Sequence, residues 1–134
     1  MNVRDEVENL LFRYARGFDE ADLDTLAMCF TEHAELFSGE WYHGREAIRA
    51  ALAARRQMRA DAGQLPRHVH TNIAIALRGD DELEVHSLFS LAITTRAGVS
   101  IEVVGTYEDR VVRQDGRWLI ARRLIARDEL TDPA

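Results

Sequence analysis

At 134 residues, 46% apolar and 30% charged, the chain has the size and composition of one globular domain with a single core, not a disordered segment. A formal charge of −6 and the absence of any basic stripe exclude a nucleic-acid partner, because neutralising phosphates takes a clustered cationic excess. The cations are all arginine, and the lone cysteine, Cys29, has no internal disulfide partner; it is expected to act as a small buried hydrophobe in a reducing cytoplasm.

Residues Val3, Val7, Leu10, Leu11, Tyr14, Ala15 and Phe18 recur at helical spacing between charged positions, which predicts an amphipathic helix weakened at its end by Gly17. The beginning of the chain lacks the apolar core of a signal peptide, and no apolar run approaches membrane-spanning length, so neither secretion nor insertion is expected. Asp22 is a good N-cap for a short second helix with Leu23, Leu26, Ala27 and Phe30 on its apolar face. Ala34 to Phe37 and Trp41 to His43 read as two short strands around Ser38-Gly39. A third helix starts after Gly44, turns Ala47, Ile48, Ala51, Leu52 and Met58 inward, and stops at Gly63.

From Arg67 the apolar period changes to two, the spacing of strands whose faces differ. His68 to Leu77 predicts one strand, and Leu83 to Thr95 a second with Leu83, Val85, Ser87, Phe89, Leu91 and Ile93 on one face. In the third, Ile101, Val103, Gly105 and Tyr107 alternate with Glu102, Val104, Thr106 and Glu108. Gln114-Asp115-Gly116 then signals a hairpin before Trp118 to Ala126, with Trp118 and Ile120 in the core. The expected architecture is α+β, with three helices packed in the concave face of a strongly curved, mostly antiparallel sheet; residues 1–126 form one domain and 127–134 a frayed tail.

Position separates the five histidines. His33 and His43 lie beside turns and read as structural, and His86 alternates with Val85, Ser87 and Phe89 and so faces outward. His68 and His70 share a strand face. With a carboxylate this pair has the makings of a facial metal site, but further ligands at metal spacing are lacking, and neither a metal nor a cofactor is expected. A phosphate-binding glycine loop, a nucleophile elbow and paired cysteines are all missing from the sequence.

The run Tyr14-Ala15-Arg16-Gly17-Phe18-Asp19-Glu20-Ala21-Asp22-Leu23, followed by Gly44-Arg45-Glu46-Ala47-Ile48, Arg67-His68-Val69-His70-Thr71-Asn72, Gly105-Thr106-Tyr107-Glu108-Asp109 and Gly116-Arg117-Trp118, resembles scytalone dehydratase and the SnoaL-like proteins over nearly the whole chain. The resemblance implies the cone-shaped nuclear transport factor 2-like fold, a homodimer, and cofactor-independent lyase or isomerase chemistry of the dehydratase or cyclase type. It also implies an apolar pocket for a hydrophobic polyketide, steroid or other aromatic substrate. Asp19 matches the family carboxylate and His68 the family histidine. A carboxylate that holds one ring N–H fixes the tautomer and strengthens the other nitrogen as a base.

Tyr14 matches a pocket tyrosine of related lyases, able to donate a hydrogen bond to substrate; the alternative is an aromatic of the helix–sheet core. The sequence departs from the dehydratase at Phe18, where that enzyme carries a tyrosine that helps hold the catalytic water. Among substrate-contacting positions we place Phe18, His70, Arg123 and Trp41. Spacing from Trp118 in the family favours Arg123 over Arg122 as the inward arginine, to bind a substrate carboxylate or an enolate; the alternative is a surface or interface arginine. Trp41 reads as pocket rim or partner contact. A different class of function, a ligand-binding or assembly module without turnover, shares every one of these features. The apolar positions Leu88, Ala92, Val104 and Val112 on the outer sheet face are where a second copy would dock.

Overall fold

The structure of the chain, a computed structural model, describes residues 1–130; the expected tail beyond Leu130 lies outside the described residues. Helix α1 (Val3–Asp19) is capped by Asn2, whose side chain accepts from the Asp5 N–H, and it buries Val7, Leu10, Leu11, Tyr14 and Phe18 on one face. Asp22 caps α2 (Leu23–Ala27) through the Thr25 N–H. Gly17 does more than weaken a helix end: a Cβ there would meet Leu26 Cβ and N at 2.9 Å, so glycine is what lets α2 lie against α1.

Strand β1 (Phe30–Phe37) begins earlier than its pattern suggested, because Phe30 pairs with Ile120 of the sheet and does not continue α2. Cys29 is buried at this junction, in the turn after α2 and not inside a helix. After β2 (Trp41–His43) comes α3 (Arg45–Asp61), which buries Ile48 and Leu52 but leaves Ala47 and Met58 in solvent, contrary to the pattern. The helix packs mainly on α2, β1 and β2, so a single narrow stripe is enough. Its arginines tie it down, Arg45 donating to the Phe30 carbonyl and Arg55 to that of Ser38.

Strands β3 (Leu65–Gly79), β4 (Glu82–Thr95), β5 (Gly98–Gln114) and β6 (Arg117–Arg127) complete one six-stranded sheet in the order β2-β1-β6-β5-β4-β3. All neighbours are antiparallel except β1 and β6, which run parallel. Register shifts in four of the five ladders bend the sheet. One of the two in β3 falls between Thr71 and Ala74, where Asn72 takes φ 54°, a left-handed conformation that asparagine tolerates. The shift between Leu91 and Ala92 displaces the alternation in β5, so Ile101 is exposed while Val103, Gly105 and Tyr107 remain inward.

Leu83, Val85, Ser87, Phe89, Leu91 and Ile93 are all buried, as are Trp118 and Ile120. The helices therefore fill the concave face of a curved sheet, which is the expected α+β cone. No helix among the described residues is long and apolar enough to cross a membrane.

Candidate active site

Asp19 is the last residue of α1, where the aligned backbone dipoles are unfavourable to an anion. Two devices offset this. Arg56 reaches from α3 to donate to the carbonyls of Phe18 (3.0 Å) and Asp19 (3.1 Å), setting a cation against the carbonyl end of the helix. His68 grips the carboxylate twice: its main-chain N–H donates to Oδ2 at 2.9 Å, and Nδ1 lies 2.7 Å from Oδ1. The side chains are only 5% (Asp19) and 10% (His68) exposed, so the contact is shielded from water and screening. A carboxylate accepts and does not donate, so Nδ1 carries the proton of this contact.

Around this pair lies an aromatic lining. The Phe18 ring meets His68 edge-on with centroids 5.1 Å apart. Tyr14 presents its edge or face to His68, His70, Phe30 and Tyr107, all within 6.5 Å. His70, Tyr107 and Phe89 form a continuous stack, with centroid separations of 4.8 and 4.3 Å. Burial, helped by the charge of Arg123 and the proximity of His68, pushes the His70 imidazole down to about 3, so it is neutral at physiological pH. Burial likewise raises the Tyr14 phenol against the opposing pull of Arg123, keeping it a protonated donor.

Arg123 points inward and Arg122 outward. The Arg123 guanidinium is not free for a substrate carboxylate, however: it is fully buried and bonded to Asp109 through Nε to Oδ1 (2.7 Å) and Nη2 to Oδ2 (2.8 Å). Its carbon sits 4.3 Å from the Tyr14 ring centre and 3.9 Å from that of Tyr107, between two π faces. Burial alone would favour losing the charge, but Asp109 outweighs it and Arg123 is held more firmly protonated than a free arginine. Asp109 was missed from the sequence because an Asp flanked by Glu108 and Arg110 on a strand looks like solvated surface; the parity that puts Tyr107 inside puts Asp109 there too. Arg56 carried no signal at all.

Trp41 is not gathered into this group. It is 38% exposed, packs on Phe37, stacks on His43 at 6.3 Å, and has the outward Arg122 5.0 Å above its ring. On that outer face a groove of about 500 Å³ runs past Glu84, His86, Glu108, Arg110 and Arg122, across the sheet from Asp19 and His68. His68 and His70 share a face, but among the described residues no three His, Cys, Asp or Glu side chains gather as metal ligands would.

Helices lining the concave face of a bent sheet, with a carboxylate–imidazole pair where the first helix meets the first long strand, define a cone-shaped α+β protein of the nuclear transport factor 2-like kind. Residues 1–124 match the SnoaL-like domain, and the chain belongs to that family. A single-residue variant of Rv3472 from Mycobacterium tuberculosis, a protein of unknown function, is 30% identical with a TM-score of 0.83, the match covering 93% of this chain and 71% of that one. A scytalone dehydratase-like protein from Novosphingobium aromaticivorans is 25% identical with a TM-score of 0.79, covering 98% and 87%. ActVI-ORFA from Streptomyces coelicolor, at 20% identity, shares the fold with a TM-score of 0.89, covering 97% and 98%. No curated protein matches the chain.

Proposed function

We propose that the protein is a cofactor-independent lyase or isomerase, of the dehydratase or cyclase type, in which His68 moves a proton next to a carbonyl and Asp19 orients it. The observation that carries this reading is the double grip of one carboxylate on the backbone and ring of a single histidine, at 2.9 and 2.7 Å. It leaves Nε2 as the base, on a ring that has those of Tyr14, Phe18 and Phe89 as neighbours. Tyr14 supplies a protonated hydroxyl for the oxygen on which enolate charge develops. An apolar aromatic enclosure suits a hydrophobic, polyketide-like or other aromatic substrate. The working unit is a homodimer joined through the outer sheet face, where Leu88 and Val104 are 43% and 45% exposed.

Proton abstraction can be read without knowing the natural substrate. In deuterated water, the protein should accelerate exchange of the α-protons of 2-tetralone, followed by NMR. His68→Gln keeps size and hydrogen bonding but removes the base, and should lower that rate about 10²–10⁴-fold in a folded protein. An undiminished rate in folded His68→Gln would remove the catalytic assignment. The second reading, a ligand-binding module, would then stand; Phe18, which has no hydroxyl to hold a water, is the feature that favours it.

A further inference from the structure

Three polar atoms inside the cone are used neither by the Asp19–His68 pair nor by the Asp109–Arg123 pair. His70 Nε2, Ser87 Oγ and Arg123 Nη1 are buried without a hydrogen-bond partner among the described residues. Ser87 is 3% exposed and Arg123 0%. An unsatisfied buried donor or acceptor costs about 1–3 kcal/mol, so a cluster of them calls for a partner. These three share one neighbour. The His70 ring stacks on Tyr107 at 4.8 Å, Ser87 is the cross-strand partner of Tyr107, and the Arg123 carbon lies 3.9 Å from the centre of the same ring. The remaining orphan of this kind, Trp118 Nε1, lies toward the start of β6, opposite Arg113.

The chemistry of the trio is specific. Ser87 offers a hydroxyl that donates or accepts, and Arg123 Nη1 offers N–H donors from a guanidinium whose charge Asp109 already neutralises. His70 is uncharged at working pH. The group is therefore rich in donors but without net charge. It can complete its hydrogen bonds on a carbonyl or hydroxyl oxygen, whereas a carboxylate would bring an uncompensated charge into a buried site. His68 and His70 are two residues apart on one face of β3, which puts His70 roughly 7 Å along the strand from His68. Between and beside them are the rings of Tyr14, Phe89 and Tyr107.

We propose that Ser87, His70 and the Nη1 edge of Arg123 form a second polar anchor, which binds an uncharged oxygen substituent on the far end of a flat aromatic ligand and selects it over the corresponding carboxylate. The proposal rests on the reading that Asp19 and His68 form the reacting end of the same pocket.

Calorimetric titration of three probes tests it: 2-naphthol with one oxygen, naphthalene-2,6-diol with a second at the far end, and 6-hydroxy-2-naphthoate with a carboxylate there. The diol should bind about tenfold tighter than 2-naphthol, as expected for one added hydrogen bond to a group otherwise unsatisfied, and the naphthoate at least about tenfold weaker than the diol. Ser87→Ala should erase the diol's advantage over 2-naphthol, while His68→Gln should preserve it. Loss of proton exchange in His68→Gln speaks to the dyad and the probe preference to the anchor, so the two readings fail separately. Equal binding of diol and 2-naphthol, a naphthoate that binds as well as the diol, no measurable diol binding, or a Ser87→Ala variant changed in melting temperature but not in preference, as for a site holding water alone, would each overturn the anchor.

Discussion

Acidification should destabilise this protein through His70. In the folded chain burial holds the imidazole down to about 3, against an ordinary value of 6.5. In the window between these values the unfolded chain binds a proton that the folded one does not, so stability is full above about 6.5 and falls as the pH drops toward about 3. From about pH 7 to about pH 5 the linkage for one such group amounts to about 2 kcal/mol, or roughly 5–8 °C in melting temperature for a domain of this size. The main cause is burial, to which the stacked Tyr107 ring contributes by excluding water, and the Arg123 cation and neighbouring His68 add to it. Urea unfolding of the wild type and of His70→Gln at both pH values isolates this contribution. The glutamine variant should lose about 2 kcal/mol less than the wild type on acidification. Parallel losses in the two proteins would refute the reasoning.

Asp19→Asn should lower 2-tetralone exchange because an amide can favour the wrong tautomer of His68, and the double variant with His68→Gln should be little slower than the slower single one, since the two act as a unit; multiplicative losses would argue against a dyad. Asp109→Asn leaves the Arg123 cation buried without its counter-charge and should cost about 3–5 kcal/mol in urea unfolding, while replacing both, as Arg123→Met with Asp109→Leu, should cost less. A single variant within about 1 kcal/mol of wild type would show that the pair is not needed. Sedimentation at micromolar concentration should show a dimer, and Val104→Arg on the exposed outer face should shift it toward monomer; a wild-type monomer would remove the proposed interface.

Much of this architecture was legible because the apolar period reports which side of an element faces a core. The alternation from Leu83 to Ile93 and the helical stripe from Val7 to Phe18 correspond to faces that are buried in the structure. Where period and structure part company, a local irregularity is responsible. Phe30 is compatible with the stripe of a short helix, but the opportunity to pair with Ile120 in a parallel ladder draws it into β1. Ile101 follows the alternation, but the shift beside Ala92 turns it to solvent. Met58 lies on the apolar side of α3 at a level where no further layer covers it.

The candidate site divides the same way. The resemblance to scytalone dehydratase and the SnoaL-like proteins singled out Asp19 and His68, and strand parity, a local property, put His68 and His70 on one face and Arg122 and Arg123 on opposite ones. Only the tertiary structure decided what each inward group meets. It spent the charge of Arg123 on Asp109, a residue that parity could place inside but that no pattern could pair with an arginine 14 positions away. It also put Trp41 with Arg122 on the outer face, and it brought Arg56 across from α3 to close the end of α1. Periodicity says only which way a side chain points. Partners are fixed by strand order, bulges and helix docking, which are long-range packing outcomes that no short window of sequence contains.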